Sequence, residues 1–73
     1  MRLNMHIERV KNGYTIKEVG KLIGAHPNAV SRWESGAAEP TANNLIALCK
    51  LYGCSPEYLL DMTEDPHGKA VVL

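Results

Sequence analysis

Between Thr15 and Gly36 the chain reads TIKEVGKLIGAHPNAVSRWESG, and this run restricts the fold more than any other part of the 73 residues. Val19 and Ile23 are one helical turn apart, and Val30 and Trp33 stand at i and i+3, so each of two short helices offers one apolar stripe. Gly24 separates the stripes. Lacking a Cβ, it can take the left-handed conformation that ends a helix, while Gly20 on the first helix leaves room for the second to cross closely, at roughly 90–120°. The ends are marked too. Thr15 and Glu18 make a capping box, Pro27 suits a first helical position that needs no N–H, and Gly36 supplies the stop. The spacing predicts helices over 16–23 and 27–35 joined by a tight turn.

The flanks complete an all-α, five-helix domain. Residues 3–12 read as a first helix, with Leu3, Ile7 and Val10 at i, i+4 and i+7 expected to face inward and Gly13 closing it. Tyr14 is expected to pack beside the entry to the second helix. Thr41 caps a fourth helix whose inward stripe is Leu45, Leu48, Cys49 and Tyr52. Ser55-Pro56-Glu57 opens a fifth, over 56–62, with cap, first-position proline and an acid near the positive end of the dipole. There Leu59 and Leu60 are expected in the core, which leaves Tyr58 and Met62 as a candidate dimer surface. Pro66 should end that helix. The domain is expected over residues 1–65, and 66–73 as a C-terminal tail. The apolar tip of that tail, Val71-Val72-Leu73, is a disordered end, a docking arm for a protein partner, or the stub of a longer protein.

Composition narrows the function classes. With 45% hydrophobic and 22% charged residues, the chain has the balance of an ordinary soluble globular domain. No run approaches the roughly 18–20 apolar residues that span a membrane, nor is there the apolar core of a signal peptide, so no membrane partner and a cytoplasmic location are expected. Cys49 and Cys54 read as buried free thiols, because intracellular chains rarely carry disulfides. His6, His26 and His67 are scattered, and no CxxC, HExxH or GxxxxGK occurs. No catalytic residue, metal or cofactor is therefore expected.

A net charge of zero argues at first against a polyanionic partner. The distribution answers this. Residues 1–38 hold six basic side chains (Arg2, Arg9, Lys11, Lys17, Lys21, Arg32) against three acidic ones, and residues 39–73 hold two against five. The positive part coincides with the two crossed helices. On the second of them, with Val30 and Trp33 inward, Asn28, Ser31, Arg32 and Ser35 point outward. Arginine can grip guanine through two hydrogen bonds, asparagine can do the same with adenine, and serine can donate or accept. Any helix has a solvated polar face, so this pattern alone does not decide between base reading and plain exposure. Asn43 and Asn44, in the first turn of the fourth helix, are likewise candidates for phosphate or for solvent.

The stretch resembles the DNA-binding domain of the phage-repressor and Cro (XRE-type) helix-turn-helix regulators. The likeness is carried by the turn glycine, the ending Ser31-Arg32-Trp33-Glu34-Ser35-Gly36, Pro40, the helix LIALCKLYG and Ser55-Pro56-Glu57-Tyr58-Leu59-Leu60, over about residues 3–65. It implies a repressor that binds double-stranded DNA as a homodimer. The helix over 27–35 would lie in the major groove, and half-sites would be roughly 34–36 Å apart. It implies Asn28, Ser31 and Arg32 as base readers, with Lys17, Lys21, Ser35, Asn43 and Asn44 on the DNA backbone. It also implies an Arg9–Glu34 ion pair tying the first helix to the end of the third. Two departures stand out: Ile16 occupies the place of a glutamine that helps bind the backbone, and the loop Ala37-Ala38-Glu39-Pro40 lacks the family's basic residues. These departures favour a competing expectation, an antitoxin-like or anti-repressor module that keeps the fold but holds another protein.

Overall fold

The computed structural model describes residues 1–68, and the apolar tip Val71-Val72-Leu73 lies outside the described residues. Five helices follow in order: α1 (Leu3–Lys11), α2 (Ile16–Ile23), α3 (Pro27–Ser35), α4 (Ala42–Tyr52) and α5 (Pro56–Leu59). Local chemistry explains most of the boundaries. The Thr15 hydroxyl accepts the Glu18 N–H at 3.1 Å while the Glu18 carboxylate accepts the Thr15 N–H at 3.0 Å, so the capping box of α2 forms in full. These bonds hold the Glu18 carboxyl below its ordinary pKa. Gly24 and Gly36 end α2 and α3 at φ 74° and 84°, a region that costs other residues about 1–2 kcal/mol. Thr41 and Ser55 cap α4 and α5 through their hydroxyls.

Val19, Val30, Trp33, Leu48, Tyr52 and Leu59 meet in one core, with Met5, Cys54 and Tyr58. The crossing of α2 and α3 depends on Gly20. A Cβ there would come within 2.6 Å of the Ala25 carbonyl oxygen, so any side chain would push the turn away. Cys49 and Cys54 are free thiols, but only Cys54 is buried; Cys49 is half-buried.

Three expectations need correction. Leu3, Ile7 and Val10 do not face inward: they are 50, 40 and 56% exposed, and α1 buries Met5 and Glu8 instead. The cause is polar. The Asn4 amide donates to the Tyr58 carbonyl at 2.8 Å, the Tyr58 hydroxyl donates to Glu8 Oε2 at 3.2 Å, and Arg9 Nε donates to Glu34 Oε2 at 2.8 Å. A helix held by residues 4, 8 and 9 turns the stripe at 3, 7 and 10 to the opposite side. The second correction is Tyr58, which is only 7% exposed and belongs to the core rather than to a dimer surface; Met62, at 58%, is exposed.

The third concerns α5, which stops at Leu59 and not at Met62. Asp61 takes φ 61°, and the Met62 N–H reaches back to the Glu57 carbonyl at 2.8 Å, closing the helix long before Pro66. Asp61 is held there by a second task. Its carboxylate accepts the Asn4 N–H at 3.0 Å and so caps α1, whose own N-cap residue, Arg2, offers no side-chain bond. Beyond α5 the chain returns to its start. Ser55 donates through its N–H to the Pro66 carbonyl at 2.7 Å and through its hydroxyl to the Gly68 carbonyl at 2.8 Å. Pro66 to Gly68 are thus held against the start of α5.

Candidate nucleic-acid interface

The four polar residues of α3 stand where the helical wheel puts them. Val30, Trp33 and Glu34 are buried, and Asn28, Ser31, Arg32 and Ser35 are exposed. Asn28 and Arg32 are four residues apart, so both side chains leave the same face one turn apart. Ser35 is less free than the others. Its hydroxyl donates to the Arg32 carbonyl at 3.1 Å and accepts the Ala37 N–H at 3.3 Å, which fastens the end of α3 to the next loop. A groove of about 450 Å³ beside it brings Ile16, at the start of α2, together with Ser31 and Ser35 of α3, and with Met1, Arg9 and Glu34. The start of α2 and the outward face of α3 therefore border one concavity. Lys17 and Lys21 are exposed on α2; at the start of α4, Asn43 is exposed and Asn44 half-buried.

Ion pairing sorts the cations. Arg2 pairs with Glu39 at 2.7 Å, Arg9 with Glu34 at 2.8 Å and Lys11 with Glu8 at 3.9 Å. Among the described residues, Lys17, Lys21, Arg32 and Lys50 have no carboxylate partner; the first three belong to the crossed pair and Lys50 to α4. The charge free to meet a polyanion is thereby concentrated on α2 and α3. Arg2 also answers the acidic loop, because its guanidinium engages both oxygens of Glu39 and donates to the Leu60 carbonyl at 2.6 Å. Nothing in the sequence marks this pair, which spans 37 positions.

Behind α3 lies the lock suggested by the resemblance. Glu34 is buried and receives Arg9 through both carboxylate oxygens, at 2.8 and 3.1 Å, while Arg9 also donates to the Tyr14 carbonyl at 2.9 Å. The hydrogen bond to Glu34 is the largest cause that raises the Arg9 pKa. His6 Nδ1 lies 3.0 Å from Glu34, completing the junction of α1 with the end of α3. Glu8 forms a second buried node, accepting from the Tyr58 hydroxyl at 3.2 Å, while the Cys54 thiol donates to the Tyr52 carbonyl at 3.4 Å. Burial first, then the Glu8 carboxylate, pushes the Cys54 thiol up to about 11, so it stays protonated at neutral pH.

His26 is the residue at this face that sequence reasoning missed. It is the N-cap of α3, accepting the Asn28 N–H on ring Nδ1 at 3.1 Å. Histidine is not among the usual capping residues, and only its place before a first-position proline hinted at the role.

Comparison with known proteins falls on the same elements. A helix-turn-helix family model matches residues 5–59. The chain is 48% identical over 42 residues, 58% of its length, to repressor protein C2 of Salmonella phage P22, and covers 19% of that protein. It is 40% identical over 52 residues, 71% of its length, to the HTH-type transcriptional regulator DicA of Escherichia coli, and covers 38% of it. The chain thus spans well under half the length of these two relatives. Among solved structures, a crystal structure of the P22 c2 repressor protein in complex with a synthetic operator superposes with a TM-score of 0.75 at 35% identity. That match covers 82% of this chain and 94% of the other. The solution structure of the DNA-binding domain of the same repressor gives 0.71 at 36% identity, covering 85% and 84%.

Proposed function

The chain belongs to the helix-turn-helix family, and from that premise we propose that it is a sequence-specific, double-stranded-DNA-binding transcriptional repressor acting in the cytoplasm. The observation that carries this reading is the coincidence, on one pair of helices, of an exposed Asn28–Ser31–Arg32 face with the unpaired cations Lys17, Lys21 and Arg32. Inserted into a major groove, α3 offers Arg32 to guanine O6 and N7, Asn28 to adenine N6 and N7, and Ser31 to either. Lys17, Lys21, Ser35, Asn43 and Asn44 meet phosphates, fixing register without reading sequence. Ser35 does so at the cost of its bond to the Arg32 carbonyl. The Arg9–Glu34 lock holds the end of α3 at a set angle, and repression follows from occlusion of a promoter. No step of this function requires catalysis.

A homodimer suits the reading, since two copies place two α3 helices on half-sites one helical turn, roughly 34–36 Å, apart. With Tyr58 in the core, the surface offered to a second copy is an apolar groove of about 430 Å³ between α4 and α5, lined by Leu45, Ile46, Cys49 and Pro56. A second reading, a protein-interaction module of antitoxin or anti-repressor type, is favoured by one observation: the exposed aliphatic stripe of α1.

A binding series over operators changed one base pair at a time, at two salt concentrations, separates the two. Arg32→Ala and Asn28→Ala should each relax preference at one position per half-site, by about 1–3 kcal/mol. Lys17→Ala should weaken all sequences alike and reduce the slope of log affinity against log salt by about one. Unchanged base preferences in both α3 variants would transfer the function to the protein-interaction reading.

A further inference from the structure

The ring of His26 is held in one orientation at the start of α3. A backbone N–H can only donate, so the Nδ1 that accepts from Asn28 at 3.1 Å carries the lone pair, and the proton of the neutral ring sits on Nε2. The backbone beneath the ring is equally constrained. The turn Ala25–Pro27 packs on Gly20, where a Cβ would meet Ala25 O at 2.6 Å, Pro27 N at 3.3 Å and the His26 carbonyl carbon at 3.6 Å. Pro27 then fixes the first dihedral of the helix. The residue is exposed, and among the described residues Nε2 has no hydrogen-bond partner. The result is a rigid single donor standing two positions before Asn28, at the end of a recognition helix whose N-terminal residues contact base edges.

Resting on the reading that α3 enters the major groove, we propose that His26 is a DNA-contacting residue that donates its Nε2–H to an acceptor on the DNA. The acceptor is either a base edge (purine N7, guanine O6 or thymine O4) or a phosphate oxygen beside it. The capping bond is what makes the contact effective: it selects the tautomer with the donor outward and removes the ring freedom that binding would otherwise have to freeze. His26 and Asn28 then work as a pair. The Asn28 backbone orients the imidazole, and the Asn28 side chain reads a neighbouring base.

The experiment compares His26→Ser and His26→Ala with the wild-type chain, measuring melting temperature and affinity over the same operator series. Serine keeps an acceptor for the Asn28 N–H but has no donor at the position of Nε2. His26→Ser should therefore melt with the wild type yet bind about three- to tenfold more weakly, the worth of one neutral hydrogen bond. His26→Ala should bind as weakly and also melt earlier. A loss concentrated at one operator position identifies a base-edge acceptor, a uniform loss identifies phosphate, and either supports the contact. Wild-type affinity and preferences in His26→Ser, in a series where Arg32→Ala still alters preference, would show His26 to be a cap only and overturn the inference. If Arg32→Ala and Asn28→Ala also change nothing, the reading beneath it fails, and this inference with it.

Discussion

In the α2–α3 pair the residues packed on the core are Val19, Ile23, Val30 and Trp33, whereas α1 turns Met5 and Glu8 inward and leaves Leu3, Ile7 and Val10 half-exposed. Both regions reach the same core, but different forces orient them. The pair is set by apolar burial and by the close approach at Gly20. For α1 the balance of magnitudes favours polar bonds. Rotating it half a turn would cover the exposed half of three aliphatic side chains, on the order of 1 kcal/mol each. It would also leave Glu34 buried without Arg9 and the Tyr58 hydroxyl buried without Glu8, and breaking one buried pair costs about 3–5 kcal/mol. The loss exceeds the gain, so the helix keeps its polar face inward.

The sharpest way to break this contrast is on the apolar side. Trp33→Ala should cost about 3–5 kcal/mol, most of the stability of a domain this small, because it empties the centre of the core. An unchanged melting temperature would show that Trp33 does not hold the pair together. Next comes the polar side. Arg9→Met should cost about 3 kcal/mol, since Glu34 is left buried with one cation fewer. Adding Glu34→Leu should recover much of that loss, and urea titration of the four members of this double-mutant cycle measures it. Strict additivity would mean that Arg9 and Glu34 do not act as a unit. The smallest effect should be at the stripe: Ile7→Ser is expected to cost about 1 kcal/mol, the worth of the covered part of a side chain that is 40% exposed. A loss of 2 kcal/mol there would put the stripe back in the core and erase the difference between the two regions.

The limits of the sequence follow from the same contrast. Helices α2 and α3 were legible to the residue because their caps, stops and stripes are local: Thr15 with Glu18, Gly24, Pro27, Gly36, and side chains three or four positions apart. The outward face of α3 was legible for the same reason. Glu8, Arg2 and Asp61 were not, because each acts on a partner 37 or more positions away: Glu8 on Tyr58, Arg2 on Glu39, Asp61 on Asn4. The Arg9–Glu34 pair, 25 apart, could be expected only from the resemblance. The end of α5 was misplaced because Asp61 leaves the helix to cap α1, a demand no local rule contains.

By itself, then, the sequence determined α2 and α3, the turn between them and the polar face of α3, since periodicity and capping depend on neighbours a few residues apart. Only the tertiary structure decided which side of α1 faces the core, that Tyr58 is buried, which cations remain unpaired, and that the His26 ring is held with its donor outward. These depend on buried charges finding partners and on backbones meeting at a crossing, and a sequence displays neither until it is folded.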